Sequence, residues 1–213
     1  MGSGGNEEGS MDNRLTINTD QIRSIVFQSI QVKQAFSDEL YQKILKAAQI
    51  IVNAYENHHK LIFMGNGGSA ADAQHLAAEF VGRFAKERKA LPALALNGNS
   101  SSLTAISNDY SYSMTFSRQI EAFANAGDVV VGISTSGNSE NVVVAMQKAK
   151  EAGLTIIGLT GETGGKIRHY CDILLNVPSK EVPRIQEAHI MIGHIICEIV
   201  ECGLFKKEKT GQR

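Results

Sequence analysis

Tryptophan is absent, and cysteine and proline each occur only three times in 213 residues. Cys171, Cys197 and Cys202 form no CxxC pair and no even set for a disulfide framework, so they are expected as buried thiols in a reducing cytoplasm. Neither sign of charge dominates, with 21 basic side chains against 22 acidic ones. A nucleic-acid or membrane-surface binder carries a basic excess, and that class is excluded. No apolar run approaches the ~20 residues of a membrane-spanning helix, and no signal-peptide pattern opens the chain. The opening MGSGGNEEGS is polar and rich in Gly and Ser, which reads as a flexible leader over 1–15. Residues 16–205 are expected to form one domain with its own core, followed by a polar tail over 206–213.

Glycine is plentiful, at 20 residues. Many of these glycines punctuate short apolar runs. Lys60–Gly65, Leu91–Leu96, Asp128–Ile133, Leu154–Leu159 and Asp172–Val177 are continuous and too short for helices, the pattern of strands buried on both faces. Ile22, Ile25, Val26 and Ile30 recur at helical spacing over 20–34. Leu40, Ile44, Ala47, Ile51 and Tyr55 do so after the cap candidate Ser37. Further helices are expected near 69–84, 115–125 and 138–152, with a short piece near 165–170. Five buried strands alternating with helices predict an α/β fold with a parallel sheet covered on both sides. The last helix, from Val182 to Cys202, is apolar around most of its circumference and is expected to lie in an oligomer interface.

In such sheets ligands bind beyond the carboxyl ends of the strands, which directs attention to loops near 65–70, 97–109, 133–139 and 160–164. Gly65-Asn-Gly-Gly-Ser69 follows a strand and opens a helix. It superficially matches a dinucleotide fingerprint, but the next strand ends in Leu96-Asn97-Gly98 without the carboxylate that holds a ribose, so no nucleotide cofactor is expected. What remains is a set of backbone N–H groups able to meet an anion, or a plain capping box made by Ser69 and Asp72. Ser134-Thr-Ser-Gly-Asn-Ser139 carries four hydroxyls at a helix start, more donors than a cap requires. With no lysine after its glycine it is no nucleotide-hydrolysing loop, and it suits the phosphate of a small molecule.

His75 and Glu79 stand four residues apart on one helix face and can be two metal ligands, a base with its orienting partner, or a surface pair. Arg83 is expected one turn further on the same face, within reach of a phosphate. On the last helix Gln186, His189 and His194 lie on an apolar background, where a polar group needs a partner. One reading is a core histidine bonded to a backbone carbonyl; His194 is the second acid–base candidate.

Asn66-Gly-Gly-Ser-Ala-Ala-Asp-Ala-Gln-His-Leu-Ala-Ala-Glu79, the Ser134–Ser139 loop, and Arg184-Ile-Gln-Glu-Ala-His189 with His194 together resemble the bacterial phosphoheptose isomerases, members of the sugar-isomerase (SIS) domain family. The resemblance spans residues 16–205. It implies a three-layer α/β/α flavodoxin-like fold and a cytoplasmic homotetramer whose core is built by the N- and C-terminal helices. The implied reaction is isomerisation of sedoheptulose 7-phosphate to D-glycero-D-manno-heptose 7-phosphate, the first step toward ADP-heptose for lipopolysaccharide or capsule. Carried over residue by residue, it implies Glu79 and His194 as the acid–base pair and His75, Glu79, Gln186 and His194 as ligands to one zinc ion. It implies sugar-phosphate contacts from Asn66, Gly67, Gly68, Asn108, Asp109, Ser134, Thr135, Ser136, Ser139 and Gln186, to which the local pattern adds Ser69 and Arg83. Some members carry an aspartate three residues before the glutamine; this chain has Pro183 there, and no role is assigned to it. Gln186 and His194 are eight residues apart, about 12 Å along a helix, so one ion shared by both points to a site near a subunit interface. Related folds that bind a replication-initiator protein lack the acid–base pair, which favours the enzyme; a sugar-phosphate sensor and an isomerase of another phosphosugar remain as alternatives.

Overall fold

Alternate residues of each strand enter two different cores. Leu61 and Phe63 of β1 (Leu61–Gly65) point to one side, Ile62 and Met64 to the other, and all four are buried. The same alternation runs through β3 (Val129–Ile133) and β4 (Thr155–Thr160), as the pleat requires. With β2 (Ala93–Ala95) and β5 (Ile173–Asn176) they form one five-stranded, wholly parallel sheet in the order β2-β1-β3-β4-β5. That order reverses between β1 and β3, the flavodoxin-like arrangement with its ligand crevice at the reversal. These features come from a computed structural model that describes residues 18–205. The leader and tail expected over 1–15 and 206–213 lie outside the described residues.

One helical layer consists of α2 (Asp38–Glu56), α3 (Gly68–Val81) and α7 (Val182–Leu204). The other contains α5 (Ser117–Phe123) and α6 (Glu140–Glu151). Leu40, Ile44, Ala47, Ala48, Ile51, Ala54 and Tyr55 form the buried stripe of α2, and Ser37 caps it by accepting from the Leu40 N–H at 3.2 Å. Pro183 sits in the first turn of α7, where its missing N–H costs nothing.

Three expectations are corrected. Residues 100–109 are not a loop but α4 (Ser100–Asp109), capped by Asn99 and burying no residue. α7, expected at an oligomer interface, is also packed extensively within the chain. Ile185, Ala188, Ile192, Ile196 and Val200 are buried, and Ile190, Met191, Ile195 and Ile199 pack against the same core. A further exposed apolar face lies on α1 (Thr19–Gln34), where Ile22, Ile25, Val26, Phe27 and Ile30 are exposed. Of the three free thiols only Cys197 is buried; Cys171 is half-buried and Cys202 exposed. Finally, α3 ends at Val81 with Gly82 as its cap, so Arg83 is off the helix and its guanidinium lies 3.7 Å from Glu87.

Candidate active site

Each catalytic candidate is placed by a close approach of α3 and α7. A Cβ at Gly193 would come within 2.5 Å of a Leu76 methyl group, so glycine there lets the two helices meet closely. The neighbours of that contact, His194 and His75, then face each other with Nε2 atoms 3.1 Å apart and ring centroids 5.1 Å apart. Glu79, one turn beyond His75, brings Oε1 to 3.0 Å from the His75 Nε2. Helical side chains lean toward the N-terminus, which sets the Glu79 carboxylate level with the His75 ring. The Phe84 ring packs against His194, 5.4 Å between centroids. One chain therefore brings His75, Glu79 and His194 together.

The three ligand atoms of His75, Glu79 and His194 all lie within 4.8 Å of one another. Only one proton can sit between two imidazole nitrogens, so at least one nitrogen lone pair and the Glu79 oxygen point into the cluster. Two imidazoles and a carboxylate are also the donor set of many catalytic zinc sites, and these residues fit such an ion. Gln186 sits elsewhere on the seam. Its amide occupies the space a side chain at Gly68 would need, seven residues before His75 on α3, or about 10 Å along the axis.

The two histidines of α7 have different fates. His189 is buried with Nε2 3.1 Å from the Thr160 carbonyl oxygen, and burial lowers its pKa to about 4, the carbonyl contact offsetting part of that effect. It is the carbonyl-bonded core histidine; His194 is not.

The phosphate candidates gather at the carboxyl ends of β1 and β3. β1 leads through Asn66 to Gly67, which caps α3 with no side-chain hydrogen bond, so Ser69 and Asp72 form no capping box. Ser69 lies inside the first turn and is buried, its N–H donating to the Asn66 carbonyl at 3.0 Å. Asp72 leaves Oδ2 buried without a partner among the described residues, and burial raises its pKa against the opposing pull of His75. Open space lies above the Gly67 backbone. Across the strand-order reversal, Asn66 and Asn141 exchange amide hydrogen bonds of 2.8 and 3.0 Å, and the Tyr112 hydroxyl donates to the Asn66 Oδ1 at 2.8 Å. Sequence reasoning missed Asn141 and Tyr112. No local pattern marks a pair 75 residues apart.

In the second loop Ser134 is buried with Oγ 2.9 Å from the Ser139 Oγ, and the exposed Ser136 Oγ accepts from the Asn138 N–H at 3.1 Å. The Thr135 and Gly137 carbonyls accept from Gly161 and Ile167, which locks this loop onto the one after β4. Ser139 caps α6 without a side-chain bond, and in the first turn the Val142 N–H donates to the Asn141 Oδ1 at 3.0 Å. Asn108 and Asp109 end α4, exposed and bonded to each other at 2.9 Å.

Residues 27–161 match the SIS domain family. A phosphoheptose isomerase from Clostridium acetobutylicum is 53% identical over 186 residues, covering 86% of this chain and 95% of that one. Among solved structures, a phosphoheptose isomerase from Neisseria gonorrhoeae superposes with a TM-score of 0.81 at 43% identity, covering 86% of this chain and 98% of that one. One from Francisella tularensis gives 0.82 at 38% identity, covering 85% and 97%. With the parallel sheet, the paired loops and these relatives in agreement, the chain belongs to the SIS-domain family, within it to the phosphoheptose isomerases.

Proposed function

We propose that this chain interconverts sedoheptulose 7-phosphate and D-glycero-D-manno-heptose 7-phosphate through an enediol, opening the route to ADP-heptose. The observation that carries this reading is the meeting of Glu79 and His194 across the α3–α7 seam, in a chain whose close relatives are named phosphoheptose isomerases. Aldose–ketose isomerisation moves one proton between C1 and C2 and another between their oxygens. Glu79 uses Oε1 to hold His75, and Oε2, without a protein partner among the described residues, takes the carbon-bound proton. His194 gives and receives the proton on the oxygen side, with Phe84 packed behind it.

The phosphate is bound by the Gly67–Gly68 backbone, by Ser134, Thr135, Ser136 and Ser139, and by the positive end of α6. Asn66, Ser69, Asn108, Asp109 and Gln186 contact the sugar phosphate, and Arg83 adds charge at the rim. The interval from Gly68 to His75, about 10 Å, matches an extended seven-carbon phosphate held with its carbonyl at Glu79. His75, Glu79 and His194 would hold one zinc ion per subunit in the substrate-free enzyme, with Glu79 and His194 free of it during proton transfer. Such an ion supplies polarisation of the carbonyl oxygen.

The apolar face of α1 supports a homotetramer in which that helix and α7 form the centre. Among the described residues no helix is long and apolar enough to cross a membrane. The test is kcat/KM for ketose phosphates of five, six and seven carbons. The seven-carbon substrate is expected to be preferred; a preference for a shorter sugar, or turnover of none, contradicts the reading.

A further inference from the structure

The loop between α3 and β2 is wrapped around a buried ion pair that belongs to neither phosphate loop nor acid–base pair. Arg88 and Glu201 are 2% and 3% exposed, with Arg88 Nε donating to Glu201 Oε1 at 2.9 Å. Every nitrogen of the guanidinium is engaged. Nη2 donates to the Glu79 carbonyl at 2.7 Å, and Nη1 to those of Phe80, Gly82 and Lys89 at 2.9, 3.1 and 3.0 Å. The last carbonyls of a helix have no intrahelical partner, so Arg88 closes the C-terminal end of α3 as a side-chain cap. Glu201, four turns along α7 from Gln186, accepts from the N–H groups of Phe84, Ala85 and Lys86 at 3.0, 3.0 and 2.9 Å.

The two halves of this clamp end on the two halves of the proton-transfer pair. Arg88 grips the backbone of Glu79 itself. Glu201 grips the backbone of Phe84, whose ring backs His194. We propose that Arg88 and Glu201 are positioning residues of the isomerase, fixing the last turn of α3 and the Phe84 ring so that Glu79 and His194 stay in register. This inference rests on the isomerase reading. Neither residue touches substrate; both act through others.

Arg88→Lys tests it, because lysine keeps the charge opposite Glu201 but lacks the fork that reaches four carbonyls. With sedoheptulose 7-phosphate as substrate, kcat is expected to fall about 10- to 100-fold, as slight misplacement of reacting groups does, with KM nearly unchanged. Phe84→Leu, which leaves the ion pair intact, is expected to lower kcat in the same way by a smaller factor. Ile44→Val in the core of α2 is the control, lowering the melting temperature while leaving kcat as it was. Wild-type kcat in Arg88→Lys, or a change confined to KM, overturns the proposal; should that variant fail to fold, unchanged kcat in Phe84→Leu overturns it. A wild-type chain without turnover removes the isomerase reading and this inference with it, whereas full wild-type activity with indifferent variants removes the clamp alone.

Discussion

Glu79→Gln is expected to lower isomerase turnover by about 10²–10⁴-fold, the range a positioned proton transfer contributes. Glutamine fills the same volume and still reaches His75, but its amide cannot accept the proton that leaves carbon. The fold should not notice. His75 and Glu79 are 48% and 24% exposed, and an exposed pair at this spacing contributes only about 0.3–0.5 kcal/mol. Thermal melting within a degree or two of wild type, alongside the lost kcat, separates chemistry from structure. His194→Gln is expected to behave alike. Near-wild-type kcat in either variant removes that residue from the proton-transfer pair.

Glu201→Ala should have the largest effect on stability. Removing one member of a buried pair leaves the other charge uncompensated, at a cost of about 3–5 kcal/mol. Three backbone N–H groups lose their acceptor at the same time. In a chain of this length the melting temperature should drop by roughly 10 °C. Burial pushes the Glu201 carboxyl up. The N–H groups of Ala85, Lys86 and Phe84 and the Arg88 guanidinium more than offset this and hold it below its ordinary value of 4.5. A lowered carboxyl stabilises the fold above its unfolded pKa and loses that contribution as pH falls through the folded one. The gap between wild type and Glu201→Ala should therefore be full at neutral pH and shrink below about pH 4.5. Equal melting temperatures at pH 7, measured by calorimetry or circular dichroism, contradict the assignment.

The strands were legible because burial on both faces leaves a continuous apolar run, and all five observed strands lie within the expected ones apart from Thr160 at the end of β4. α4 was not. Ser100-Ser-Ser-Leu-Thr-Ala-Ile-Ser-Asn-Asp109 buries no residue, so it carries no stripe to read; its signal was the cap, Asn99 accepting from the Ser102 N–H at 3.0 Å. The Ser69–Asp72 pattern mimicked a capping box because its spacing is right, yet the chain turns two residues earlier, at Gly67. Arg83 was misplaced because helix ends are set by the backbone, and Gly82 stops α3 one residue before it.

The candidate site was legible where it is local. His75 and Glu79 share a face by periodicity, and the serine-rich loop exceeds the needs of a cap. Which α7 histidine joins them was not, since His189 and His194 lie on one apolar helix and differ only in what faces them. The deciding contact is Gly193 against Leu76. Nor could spacing reveal Arg88 and Glu201, which are 113 residues apart and meet only once α3 and α7 are packed.

The most direct measurement is hydrogen exchange during the reaction. Wild-type protein and sedoheptulose 7-phosphate are mixed in deuterium oxide, and the aldose is examined by NMR. A carboxylate that takes the proton from carbon and trades it with solvent predicts aldose carrying deuterium at C2, and none formed by Glu79→Gln at comparable times. Aldose appearing just as fast from the Glu79→Gln variant, or no aldose from wild type, would contradict the account.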